Sequence, residues 1–139
     1  MSAAQDKVLY TGRTTTTGGR SGASRSDDGH LDIRLTQFGT AGTGTNPEQL
    51  FASGWSACFM GAMARAAQTL GVKLPADLAV EAEVDLVQNA EGFALAARLN
   101  VRVPGVAHDQ ALAVVQAAHQ ICPYSKATRG NIQVDLSVA

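Results

Sequence analysis

The sequence is short of cysteine, of charge and of long apolar runs, and each shortage removes a class of explanation. Only two cysteines, Cys58 and Cys122, occur, 64 positions apart and with no CxxC pair. That count supplies neither a disulfide scaffold nor the four clustered ligands of a structural zinc site. Charged residues make up 17% of the chain, the formal net charge is −1, and no two Lys or Arg residues are adjacent. A phosphate-binding surface needs concentrated positive charge, so nucleic acid is excluded as an expected partner. No stretch approaches the roughly 18 consecutive apolar residues of a membrane span, and the opening MSAAQDKVLY lacks a signal-type apolar run. A soluble, cytoplasmic protein without membrane contacts is expected. What is present is a 45% hydrophobic chain of 139 residues, enough to bury a core and matching one domain over residues 1–139.

The first 45 residues hold eight of the 14 glycines and nine threonines, a composition of strands and tight turns. Val8 to Thr17 reads as a strand ending at Gly18 and Gly19. Leu31, Ile33 and Leu35 alternate with Asp32, Arg34 and Thr36 as a second half-buried strand. A helix is expected from Pro47 to about Leu70, with Asn46 as cap, Gln49 closing a capping box and Gly71 as its stop. It is apolar nearly all round, so burial on several sides is expected. After Pro75, Val80, Ala82, Val84 and Leu86 alternate with Glu81, Glu83 and Asp85. A turn at Asn89 to Gly92 returns the chain as an antiparallel strand, with Arg98 and Arg102 facing the acidic residues. Asp109 to about Ile121 is a second helix, broken before Pro123, with Cys122 as a candidate cap of a short helix ending near Gly130. Ile132 to Val138 is a last strand. The order β-β-α-β-β-α-β lacks regular βα alternation, which places the chain in the α+β class.

Chemistry has few places to sit. Cys58 lies mid-helix among Trp55, Phe59, Gly61 and Ala62. It is either an inert core cysteine or a reactive thiol whose thiolate is stabilised by a cation from elsewhere in the chain. Arg20, after Gly18 and Gly19, is the candidate cation, and Glu48, in the first helical turn, is a candidate to orient it. Each also has a plain reading, as a solvated turn residue and as a carboxylate favoured by the helix dipole. Cys122 is either a capping or packing residue or a second thiol with thiolate character. His119 shares a helix face with Cys122, but two cysteines and one histidine do not complete a zinc site. His30 and His108 flank loops. The glycines of FGTAGTGT lack the Lys-Ser/Thr that follows a phosphate loop.

Three strings, TGGR at Thr17 to Arg20, TNPEQLFASGWSACF at Thr45 to Phe59, and ICPYSKATRGNI at Ile121 to Ile132, resemble the organic hydroperoxide resistance (Ohr) branch of the Ohr/OsmC family. The resemblance implies antiparallel sheets wrapped around a long buried helix in an intertwined homodimer. It also implies a thiol-dependent peroxidase, with Cys58 peroxidatic, Cys122 resolving, and Arg20 and Glu48 matching the family's active-site pair. Alkyl and fatty-acid hydroperoxides are the implied substrates. No metal or bound cofactor is implied; the dihydrolipoyl group of lipoylated enzyme subunits is the implied reductant. Ser21 and Trp55 depart from residues common in the family, which touches substrate fit. Within this reading Phe51, Trp55 and Met63 would line an apolar groove for the alkyl chain.

Two other classes use the same residues. A cysteine hydrolase or acyl transferase would pair Cys58 with a histidine base such as His119, leaving Cys122 idle. A non-enzymatic carrier of small molecules would use the groove and need no reactive thiol.

Overall fold

The computed structural model of the chain describes residues 6–139. The first five positions of MSAAQDKVLY lie outside the described residues. The chain forms two compact units, the first ending at Pro47 and the second running Glu48–Ala139.

The first unit is a three-stranded antiparallel sheet, β1 (Thr14–Thr17), β2 (Ala23–Ser26) and β3 (Asp32–Arg34), in the order β1-β2-β3. The strand expected from Val8 is corrected to β1, and β2 is an added strand that lacks enough alternation to be read from sequence. Val8, Leu9 and Tyr10 have strand-like residue types, but they are exposed and fall outside the β1–β2 register, which starts at Thr14↔Ser26. Pattern alone cannot supply a pairing partner. All four threonines of β1 are exposed, so the expected half-burial is also corrected.

α1 (Pro47–Leu70) begins on the last residue of the first unit and otherwise belongs to the second. Pro47 opens it, as the fixed φ of proline favours, and Gly71 ends it at φ 70°, a left-handed conformation that glycine adopts without penalty. Next comes the hairpin of β4 (Ala79–Asn89) and β5 (Gly92–Arg102), closed at the Asn89↔Gly92 pair. The arginines meet the acidic face as expected. Arg98 grips Asp85 bidentately at 2.8 and 2.9 Å and donates to Glu83 at 3.0 Å, while Arg102 lies 3.2 Å from Glu81. Arg98 holds the Asp85 carboxyl below its ordinary range. These solvent-facing pairs favour this register over a slipped one.

Then follow α2 (His108–Ile121), α3 (Pro123–Thr128) and β6 (Gln133–Val138). β6 pairs parallel to β5, giving a mixed sheet of order β4-β5-β6. A parallel partner requires a crossover, and α2 with α3 supplies it. The α+β class holds.

The core of the second unit lies between this sheet, α1 and α2. Trp55, Phe59, Met63, Leu99, Val101, Val114 and Val115 have no solvent exposure. The spacing of Trp55, Phe59, Ala62, Met63, Ala66 and Ala67 traces one helical stripe. Ala57, Gly61, Ala64 and Arg65 on the other side of α1 are exposed. Within one chain α1 is therefore buried on one side, not several, because this unit has a single sheet to set against it.

One buried polar contact ties α1 to α3. The Trp55 indole N–H donates to Ser125 Oγ at 3.2 Å, and both residues are fully buried. Ser125→Ala strands that N–H away from water, so a loss of about 1–3 kcal/mol is expected. Urea unfolding of the reduced protein checks this, and an unchanged midpoint would mean that the bond adds nothing to stability.

Candidate active site

Cys58 and Cys122 meet despite their distance in sequence: their sulfurs are 3.5 Å apart and both are free thiols. Local chemistry explains the approach. Pro123 cannot continue α2, so the chain turns at Cys122, whose φ of −64° and ψ of 123° are extended. The Cys122 N–H still donates to the Ala118 carbonyl, and its carbonyl accepts from the Lys126 N–H, so its backbone belongs to both helices. Cys122 does occupy the cap position of α3, but its side chain makes no capping bond. The sulfur is left to face α1.

The two thiols differ in access. Cys122 is fully buried, whereas Cys58 is partly exposed and lines an open cavity of about 290 Å³. A reagent from solvent therefore meets Cys58 first. Burial pushes the Cys58 thiol above its ordinary pKa; the Tyr124 backbone N–H, hydrogen-bonded to the sulfur, pulls it down, and Cys122 raises it again. The net direction is upward, so this sulfur needs further positive charge to ionise readily near neutral pH.

The cavity is walled by Gly61, Ala62, Arg65, Ile121 and Pro123 as well as Cys58. This changes the expected groove. Trp55 and Met63 are sealed in the core with no exposed surface and are not among the cavity walls. Phe51 is half-buried and stands edge-on to Trp55 and to Tyr124, at 5.7 and 6.2 Å between ring centres. The helix presents its 55–59–63 stripe to the sheet and its 58–61–62–65 stripe to the cavity. A helix apolar nearly all round does not reveal in advance which stripe goes where.

Arg20 lies in a 3-10 turn, Gly19–Ser21, within the first unit. Gly18 and Gly19 enter it at φ of 74° and 58°, a path that side chains with a Cβ rarely follow. Arg20 is half-buried. Glu48 lies in the first turn of α1, ten residues before Cys58, or about 15 Å along a helix axis.

The alternatives find less support. The His119 ring packs against Phe59 at 6.5 Å, its pKa is lowered by burial and then by the Arg129 charge, and its backbone carbonyl accepts from Arg129. The groups acting on Cys58 are burial, the Tyr124 amide and Cys122, with no imidazole among them. Among the described residues no group of three or more His, Cys, Asp or Glu could hold a metal ion, and no helix is long and apolar enough to cross a membrane. Sequence reasoning missed three contributors: the Tyr124 amide, the Ser125 hydroxyl under Trp55, and Arg65. Only Arg65 carried a readable signal, standing seven positions after Cys58 and so on the same helix face.

Comparison with known proteins adds the following. The profile of the family described as OsmC-like protein matches residues 39–137. The organic hydroperoxide resistance protein of Xanthomonas axonopodis pv. citri (strain 306) is 45% identical over 141 residues, covering 99% of each chain. OhrB, an organic hydroperoxide resistance protein of Bacillus subtilis (strain 168), is 41% identical, over 94% of this chain and 98% of the relative. The crystal structure of OhrB superposes with a TM-score of 0.89, covering 95% of this chain and all of that one.

Proposed function

The chain belongs to the Ohr branch of the OsmC-like family, and from that premise we propose that it is a thiol peroxidase that detoxifies organic hydroperoxides. The observation that carries the reading is the pair of sulfurs 3.5 Å apart, one opening on a cavity and the other sealed. The Cys58 thiolate attacks the O–O bond; the sulfur is oxidised to sulfenic acid, the peroxide is reduced, and the alcohol leaves with one added proton. The Cys122 thiol then condenses with the sulfenic acid, forming the disulfide and releasing water, before a second peroxide drives Cys58 to sulfinic acid. A dihydrolipoyl group of a lipoylated protein reduces the disulfide and becomes the cyclic disulfide itself. No bound cofactor takes part. Arg20, oriented by Glu48, supplies the positive charge that a thiol with a raised pKa requires.

We further infer a homodimer. The exposed side of α1, with Ala57, Gly61 and Ala64, and the exposed Val8, Leu9, Tyr10 and Phe93, are apolar surface that one chain leaves uncovered. A second copy bringing its own sheet would bury it. A cytoplasmic site, where thiols stay reduced, fits a redox cycle of this kind.

Mixing reduced protein with one equivalent of an alkyl hydroperoxide tests the reading by thiol count. Loss of both thiols with one alcohol formed is expected. Retention of both thiols would exclude a peroxidase and favour a carrier. With a dihydrolipoyl donor, kcat/KM is expected to be higher for long-chain hydroperoxides than for hydrogen peroxide, because apolar surface buried in the cavity contributes about 25 cal/mol per Å².

A further inference from the structure

The sulfur pair has a neighbouring contact between α1 and the segment after the bend at Cys122. The sulfurs stand 3.5 Å apart, and the Trp55 indole N–H donates to Ser125 Oγ at 3.2 Å. Trp55 precedes Cys58 by three residues, and Ser125 follows Cys122 by three. Three residues of α1 are close to one turn, about 4.5 Å of rise. The indole bond is therefore the next rung beside the sulfur pair, with α1 and α3 passing in opposite directions.

The two rungs fare differently during a redox cycle. Contacts of the Cys58 sulfur change when it is oxidised, including the bond it accepts from the Tyr124 N–H. Packing of the Tyr124 ring on Phe51, 6.2 Å between centres, tolerates sliding in a way that a hydrogen bond does not. Trp55 and Ser125 do not react, and both are fully buried, so neither can turn to water if their bond breaks. That bond lasts through the cycle.

α3 needs such an anchor. Its six residues are too few to hold a helix by themselves, and the Cys122 side chain makes no capping bond. The Thr128 hydroxyl is engaged inside α3, on the Tyr124 and Ser125 carbonyls. A disulfide places its sulfurs about 2.0 Å apart, so from 3.5 Å Cys122 must close about 1.5 Å on Cys58. A misplacement of about 1 Å can slow a reaction about 100-fold.

We propose that Ser125 is a positioning residue for the disulfide-forming step, and this rests on the peroxidase reading. By holding the Trp55 indole it fixes α3 against α1, so that the Cys122 sulfur bonds to Cys58 while the sulfenic oxygen leaves as water.

Quench-flow with an alkyl hydroperoxide, read by mass spectrometry, follows sulfenic acid and disulfide separately in wild type, Ser125→Ala, Ser125→Thr and Trp55→Phe. In Ser125→Ala and Trp55→Phe disulfide formation should slow roughly 10- to 100-fold, far more than the attack on peroxide. Sulfenic acid then accumulates, and sulfinic acid appears at lower peroxide. Ser125→Thr keeps the hydroxyl and should recover much of the rate. The double variant should be no slower than either single one, since both act through one bond. Trp55→Phe keeps an aromatic ring in the core and carries the test should Ser125→Ala not fold. A second arm needs no peroxide. Attack of Cys58 on dithiobis(nitrobenzoate) releases one thionitrobenzoate, and displacement by Cys122 releases another as the disulfide closes. The second release should slow in the same variants. Closure at the wild-type rate in a folded single variant, or equal slowing of both steps, would overturn the proposal. If the wild type ignores hydroperoxides while the second release still slows in Ser125→Ala, the peroxidase reading falls and the positioning role stands.

Discussion

Cys58→Ser is expected to abolish hydroperoxide reduction, because it removes the sulfur that solvent reaches, and the remaining Cys122 is fully buried. Cys122→Ser is expected to behave differently. Cys58 still attacks, so about one equivalent of peroxide is consumed, but the sulfenic acid then has no thiol 3.5 Å away to condense with. The cycle stalls, and excess peroxide carries Cys58 to the irreversible sulfinic and sulfonic acids. Mass spectrometry after a stoichiometric pulse separates the cases. The wild type should carry an intramolecular Cys58–Cys122 disulfide, Cys122→Ser a singly and then doubly oxygenated Cys58, and Cys58→Ser neither. Normal turnover by Cys58→Ser would remove this cysteine from the chemistry.

The second large effect is expected from Arg20→Ala. Burial already pushes Cys58 up, and the Tyr124 amide offsets it only in part. A cation within about 4–6 Å lowers a thiol pKa by roughly one to three, so at neutral pH its removal costs roughly 10- to 1,000-fold in thiolate. The sign fixes the pH profile. Losing the cation raises the Cys58 pKa further, so the rise of rate with pH moves to higher pH. The deficit is largest near neutrality and narrows once the medium itself ionises the thiol. Glu48→Ala should lose less, since it orients the charge without supplying it. Thiolate absorbance against pH is the direct check, and an unchanged midpoint in Arg20→Ala would take Arg20 out of the mechanism. If Arg20 reaches Cys58 across a homodimer, co-refolding Arg20→Ala with Cys58→Ser should restore part of the activity. No recovery in confirmed heterodimers would confine each site to one chain.

Much of this architecture is local chemistry written directly into the chain. Pro47 and Gly71 bound α1 because one fixes a helical φ and the other tolerates a left-handed one. The β4–β5 hairpin follows from period-two alternation with opposite charges on facing strands, and the break after α2 follows from Pro123. The resemblance to the Ohr branch was equally legible, because long strings around both cysteines carry it. Tertiary structure decided what depends on partners distant in sequence. Val8 to Tyr10 have strand-like side chains but fall outside the β1–β2 pairing, and β6 became parallel because α2 and α3 return it alongside β5. α1 is apolar nearly all round over its middle, so its sequence did not settle that Trp55 and Met63 would turn into the core while Cys58 turned to the cavity. That choice was made by the sheet, which buries the stripe carrying the largest side chains and leaves the one with small residues open. The approach of the two sulfurs likewise rests on the bend at Cys122 against a packed α1, a juxtaposition across 64 residues that no local pattern encodes.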